Sequence, residues 1–194
     1  MNKLIKLTLS LLTISLLVFS CTKDEKYFDS VEQFELEKPI IKSYVQSNYP
    51  NMVYASDSTG MWYEILDNGI ENTYTYKVVD TVNNYGQSTK ALRLPTLTVR
   101  YTGKLISNGS TFDSNQSENG VTFNLSGLIY AWKLALIPNS VGAYSFGGLT
   151  KKGLQKGAKI RFVTPSALAY GNNYTGSIPP NSPLYFEIEI LDIK

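Results

Sequence analysis

The sequence predicts an α+β domain: an antiparallel, twisted β-sheet packed on one short α-helix, with an N-terminal extension made of a helix and a hairpin. Three observations lead there. Segments 96–105, 159–165 and 184–193 alternate apolar and polar residues with the period of a half-buried strand. Between them, the apolar stretch GLIYAWKLAL at 127–136 reads as one short helix. The 194 residues are 43% hydrophobic and 18% charged, which suits one packed core and excludes a disordered chain.

The elements follow in order. Residues 1–20 place Lys3 and Lys6 ahead of the apolar stretch Leu7–Phe19, the layout of an export signal rather than of a spanning helix. Cys21 ends the block LVFSC at 17–21, which resembles a bacterial lipobox. The resemblance implies cleavage before Cys21, lipidation of its thiol, and a chain anchored by acyl groups in the cell envelope. Cleavage removes Lys3 and Lys6 and no acid, so the mature domain is formally neutral and its hold on a membrane would come from the lipid. Residues 21–29 read as a tether. Within it, Lys23, Asp24 and Glu25 resemble the basic-acidic-acidic tag of surface-exported lipoproteins in Bacteroidetes-like bacteria, and a solvated tether needs no such tag. The cell surface and the periplasmic face of the outer membrane are both expected locations.

Residues 30–95 form the extension. Over 30–48 a helical pattern puts Ile40, Ile41, Tyr44 and Val45 on one face, with Pro39 suited to a first turn. MWYEIL at 61–66 reads as a strand before the turn Asp67-Asn68-Gly69, and TYTYKVV at 73–79 alternates as a second strand. The polar run 80–91 reads as a loop, and 70–95 together as an added hairpin. From 96 to 194 the main domain begins. In its first strand Leu97, Val99, Tyr101, Gly103 and Leu105 face one way and Thr98, Arg100, Thr102 and Lys104 the other. In its last, Leu184, Phe186, Ile188 and Ile190 face in, with Glu187 and Glu189 out.

Composition excludes several chemistries. With no His, neither Ser-His-Asp nor Cys-His catalysis nor a His-ligated metal is available. One Cys forms no intrachain disulfide and no CxxC site. A formal charge of +2 leaves no nucleic-acid footprint. The 14 Tyr and 12% aromatic content lean toward β structure or a binding surface.

Four segments, in order, carry a family resemblance: VRYTGKL at 99–105 followed by Gly109 and FDSN at 112–115; FNLSGLIYAW at 123–132; PSALAYG at 165–171; and IPPNSPLYFEIEIL at 178–191. Together they resemble the FKBP-type peptidyl-prolyl cis-trans isomerases. The resemblance implies an FKBP-like sheet half-wrapped around a short helix, and isomerisation of X–Pro bonds in unfolded or flexible exported polypeptides. It also implies a monomer with no cofactor and no metal. Trp132 would be the floor beneath the proline ring. Tyr101, Phe112, Leu128, Ile129 and Phe186 would be walls, with Val121 near a further wall position. The Ile129 N–H and the Tyr170 hydroxyl would each meet a substrate carbonyl. Asp113 would sit at the rim, bonded to Tyr101, and Ile178 would close the pocket from the flap.

The implied reaction suits the composition. Turning an X–Pro bond crosses an amide-resonance barrier of about 18–20 kcal/mol and breaks no σ bond, so it needs no nucleophile or metal. A pocket that favours the twisted amide over the planar one is sufficient. The chain departs from the family's pattern at Ala131, where a Gly is usual before the Trp; in a shorter 123–132 segment; and in the Gly- and Ser-rich insertion 139–153, expected as a surface loop near the helix. Two other readings stand beside this one. One is a non-catalytic protein-binding lipoprotein on the same fold. The other is a surface lipoprotein that binds glycans through exposed Tyr and Trp.

Overall fold

The computed structural model describes residues 29–194. The expected signal segment, the expected lipidation site Cys21 and most of the expected tether lie outside the described residues.

Helix α1 spans Ser30–Asn48. Asp29 starts it, its side chain accepting the N–H groups of Val31 at 2.8 Å and Glu32 at 3.2 Å, two donors that the first turn leaves free. Because the cap lies at Asp29, Pro39 falls inside the helix and not in its first turn as expected. The proline is exposed, on the side where solvent can serve the Glu35 carbonyl that its ring leaves without a donor. The buried stripe is Glu37, Ile41 and Val45, spaced by four, while Ile40 is 56% exposed rather than on the packed face. A polar residue therefore occupies the place in the stripe that apolar patterning gave to Ile40.

A seven-stranded antiparallel sheet follows. Its strands are β1 (Val53–Tyr54), β2 (Trp62–Asp67), β5 (Thr96–Leu105), β6 (Thr111–Asn115), β7 (Val121–Asn124), β10 (Lys159–Thr164) and β11 (Leu184–Ile193), in the order β1-β2-β10-β11-β5-β6, with β7 also on β5. β5 is long enough to serve two partners on one edge: Thr96–Val99 pair with β7 and Tyr101–Lys104 with β6. Its alternation holds at every position, with Leu97, Val99, Tyr101, Gly103 and Leu105 on the buried side. β1 and β2 belong to this same sheet, so the segment ahead of residue 96 supplies part of the main domain's framework and is not only an appendage.

Two strands lie apart from it. β3 (Val78–Val82) and β4 (Ser88–Leu92) form a separate hairpin inside the segment expected as a hairpin, and the run 80–91 is mostly ladder, not loop. The alternating TYTYKVV forms a strand only from Val78, where it pairs with β4. Tyr76 is instead a buried anchor, its hydroxyl within hydrogen-bond distance of the carbonyls of Leu136 (2.8 Å) and Leu154 (3.0 Å).

Helix α2 (Tyr130–Leu136) crosses the inner face of the sheet, burying Ala131, Trp132, Leu134, Ala135 and Leu136. α1 covers the outer face, where Ile41 and Val45 pack with Met52, Ile106, Val163 and Tyr185. That second layer explains why Val163 and Tyr185 are buried on the side of their strands opposite to the main core. The insertion 139–153 carries a miniature hairpin, β8 (Ser140–Val141) with β9 (Tyr144–Ser145), and then returns beside α2 as expected. There the N–H groups of Leu149 and Leu154 donate to the carbonyls of Leu134 (2.8 Å) and Leu136 (3.0 Å), acceptors that the end of a short helix leaves open.

Candidate functional site

The mouth of the sheet beside α2 encloses a hollow of about 280 Å³, lined by Tyr101, Phe112, Asp113, Phe123, Gly127, Leu128, Ile129, Trp132, Tyr170 and Phe186. Each is placed by a local cause. Tyr101 and Phe186 point inward by the alternation of β5 and β11. Phe112 and Asp113 are consecutive, so a regular strand would send them to opposite faces. The register between β5 and β6 shifts here: Gly103 faces Asp113 and Lys104 faces Thr111, leaving Phe112 without a partner. This bulge allows both side chains to reach one hollow. A short 3-10 turn, Leu125–Gly127, then carries the chain over to Leu128, Ile129 and the first turn of α2.

Trp132 is 4% exposed and meets three rings edge-on: Tyr101 at 5.4 Å and 78°, Phe186 at 5.7 Å and 84°, and Phe123 at 6.2 Å and 87°. Edge-to-face packing of this kind fixes the indole more tightly than apolar burial alone. Phe112 stands edge-on to Phe186 at 5.7 Å. Gly103 makes room for both: a Cβ there would lie 2.5 Å from the tip of the Phe112 ring and 3.0 Å from Phe186.

The polar side of the hollow is narrow. The Tyr101 hydroxyl donates to Asp113 Oδ2 at 2.6 Å, the short geometry of a charge-assisted bond. Burial, and then this bond, push the Tyr101 phenol above its ordinary value of 10. Tyr170 is pushed the same way, by burial first and by the nearby Asp113 second. Among the described residues, neither the Tyr170 hydroxyl nor the Ile129 N–H is hydrogen-bonded to a protein group. Both belong to residues that line the hollow, which offers two donors and one hydrogen-bonded Tyr101–Asp113 rim within an aromatic cup.

Eight of the nine expected site residues converge here: Tyr101, Phe112, Asp113, Leu128, Ile129, Trp132, Tyr170 and Phe186. Ile178 does not. It is not among the residues lining the hollow; it is 4% exposed, belongs to the same core cluster as Tyr101, Trp132 and Phe186, and is tied to Thr175 by two backbone bonds. Val121 also packs on the core without lining the hollow. Sequence reasoning missed Phe123 as a wall. Its signal was the pairing of 121–124 with the start of β5, which sets Phe123 opposite the buried Leu97. Ala131 is fully buried in the core and does not line the hollow, so its methyl group does not narrow the cup. No residue of 139–153 lines it either. Larger hollows, of about 610, 500 and 410 Å³, lie elsewhere on the surface and contain neither Trp132 nor Asp113. The smaller one is preferred because its groups converge chemically. Among the described residues no group of three or more His, Cys, Asp or Glu could hold a metal.

The family model of the FKBP-type peptidyl-prolyl cis-trans isomerases matches residues 87–191, more than half of the chain and all of the hollow's lining. The chain belongs to this family. FkpA of Escherichia coli K12, an FKBP-type isomerase, is 29% identical over 178 residues, covering 88% of this chain and 57% of FkpA. A probable FKBP-type isomerase of Haemophilus influenzae is 39% identical over 101 residues, covering 51% of this chain and 35% of its own length. The chain thus spans between about a third and somewhat more than half of these curated relatives. The crystal structure of E. coli FkpA superposes with a TM-score of 0.54 at 25% identity, covering 100% of this chain and 73% of FkpA. A peptidyl-prolyl isomerase from Pseudomonas syringae pv. tomato gives 0.52 at 22% identity, covering 86% of this chain and 97% of that one. The FKBP-like fold is common to all three.

Proposed function

We propose that this FKBP-family chain is a peptidyl-prolyl cis-trans isomerase acting on X–Pro bonds of unfolded or flexible exported polypeptides. The observation that carries the reading is the Trp132-floored aromatic cup with the Tyr101–Asp113 pair at its rim and two uncommitted donors, Ile129 N–H and Tyr170 hydroxyl.

The proline ring rests on the indole of Trp132, walled by Tyr101, Phe123 and Phe186, with Phe112 and Leu128 nearer the mouth. As the amide twists, resonance weakens and its oxygen loses negative charge, so the twisted form loses less than the planar one on leaving water. An apolar cup therefore lowers the barrier without touching a bond. The Ile129 N–H and Tyr170 hydroxyl hold carbonyls of the chain flanking the proline, so that one side of the X–Pro bond is fixed while the other turns. Asp113, by fixing the Tyr101 hydroxyl, keeps the wall beside the indole in place and sets a polar edge.

The lipobox-like LVFSC supports attachment of this activity to the cell envelope through Cys21, on the periplasmic face or the cell surface. Cis-to-trans conversion of a proline-containing tetrapeptide tests the activity. The reading expects first-order acceleration that scales with enzyme concentration; a rate equal to the uncatalysed one rejects it in favour of a binding module.

A further inference from the structure

We propose that Glu37 of α1 is a positioning residue for the candidate site, holding the turn that presents Tyr170. The inference rests on the isomerase reading above and adds to it a residue outside the family's matched segment.

Glu37 is 1% exposed and Ser166 is 2% exposed, and they meet across 129 positions of sequence. Glu37 Oε2 accepts the Ser166 N–H at 2.7 Å. Its Oε1 accepts the Ser166 hydroxyl at 2.6 Å and the Gln33 side-chain amide at 2.8 Å. Ser166 opens the 3-10 turn Ser166–Leu168 directly after Pro165, and proline has no side-chain acceptor to cap that turn. A distant carboxylate thus satisfies the first N–H of a turn that position 165 leaves without a side-chain acceptor.

The consequence reaches the hollow in one step. The Ser166 carbonyl accepts N–H groups from both Ala169 and Gly171, each at 2.8 Å. These two residues bracket Tyr170. Gly171 sits at φ +60°, where a side chain would be strained, and its carbonyl accepts from Asn181 N–H at 2.8 Å. Tyr170 therefore hangs from a loop with two fixed ends, and the buried end is Glu37. An apolar contact between α1 and this turn would stabilise as well but would not fix direction; a fully satisfied buried polar cluster does both.

Glu37→Gln keeps the size of the side chain and turns one acceptor into a donor. That amide must then face the Ser166 N–H, which cannot accept, or else the Ser166 hydroxyl or the Gln33 side-chain amide, which accept only if the hydroxyl or the Gln33 amide turns around and gives up its present bond. The experiment is a double-mutant cycle on isomerisation kinetics with the full chain, using Glu37→Gln, Tyr170→Phe and both together, with amide hydrogen exchange at Ala169 and Gly171 read in parallel. The expected result is a loss of roughly fivefold to tenfold in kcat/KM for Glu37→Gln, most of which disappears in the Tyr170→Phe background, because both changes act on the same hydroxyl. Faster exchange at Ala169 and Gly171, with Ile188 in β11 unchanged, is expected alongside. Equal losses in the two backgrounds, or unchanged exchange at the two amides, overturn the inference. If Glu37→Gln does not fold, Ser166→Ala, which removes only the hydroxyl donor, takes its place in the cycle and must show the same coupling. If Tyr170→Phe alone has no effect on rate, the assigned role of Tyr170 fails and this inference falls with it. Additivity in the presence of a Tyr170→Phe effect rejects Glu37 alone.

Discussion

At the scale of single residues, the site divides into groups that shape the cup and groups that offer hydrogen bonds. Asp113 and Tyr170 belong to the second set, and their roles separate from folding because both lie at the mouth. Asp113→Leu and Tyr170→Phe are each expected to lower kcat/KM by about tenfold, equivalent to about 1.4 kcal/mol of barrier. Circular dichroism should remain that of the unaltered protein. Trp132→Ala is different in kind: removing a buried indole costs about 3–5 kcal/mol of stability, so loss of activity would be accompanied by a lower Tm. The pH dependence follows from the phenols. Tyr101 and Tyr170 are both raised above 10, so they stay protonated through the neutral range. The stability that the raised Tyr101 contributes is fully present below the ordinary phenol value and is lost only as pH climbs through the higher folded one. With no His to titrate, kcat/KM should be flat between about pH 7 and 9. A decline centred inside that window would mean that another group controls the rate.

At the scale of elements, the cup depends on one close approach and is indifferent to one hairpin. Gly103→Ala would drive a methyl group into the Phe112 ring, which Phe186 backs edge-on, and overpacking of this kind costs about 1–3 kcal/mol. Thermal unfolding and substrate affinity should both worsen. The β3–β4 hairpin pairs with no strand of the main sheet and lends no side chain to the hollow. Its base is already closed by a bond from Arg93 N–H to the Lys77 carbonyl at 2.9 Å. Replacing residues 78–92 by a short turn should leave kcat/KM unchanged, provided Tyr76 is kept. What was legible in the sequence follows the same division. β5 could be read because period two and burial coincide along its whole length. Tyr74 and Tyr76 show the same alternation, yet alternation carries no information about whether a segment joins a ladder, and neither of these residues does. The pairing of Phe112 with Asp113 in one hollow needed a bulge, which depends on register against β5 and not on the local string. Ile178, which the resemblance put in the flap, is bridged there to Thr175 and buried in the core cluster, outside the hollow's lining.

At the scale of the whole molecule, two layers meet different demands. The inner layer, α2 on the sheet, builds the cup. The outer layer, α1, packs on the opposite face and meets the turn before Tyr170 through Glu37, a contact between residues 129 positions apart that no local pattern records. The proposed anchor is separable from both. Cys21→Ser is expected to move the protein from the membrane fraction to the soluble envelope fraction, and continued retention would contradict a lipid attachment. The cup itself should work equally well in either form, because none of its residues lies near the tether in sequence.

The central claim is met most directly by refolding a protein whose slow phase is limited by proline isomerisation, in the presence of catalytic amounts of this one. The account predicts that substoichiometric protein shortens the slow phase in proportion to its concentration, and that Asp113→Leu and Tyr170→Phe, folded as before, do so far less. An unaltered slow phase, or equal acceleration by the two variants, would contradict it.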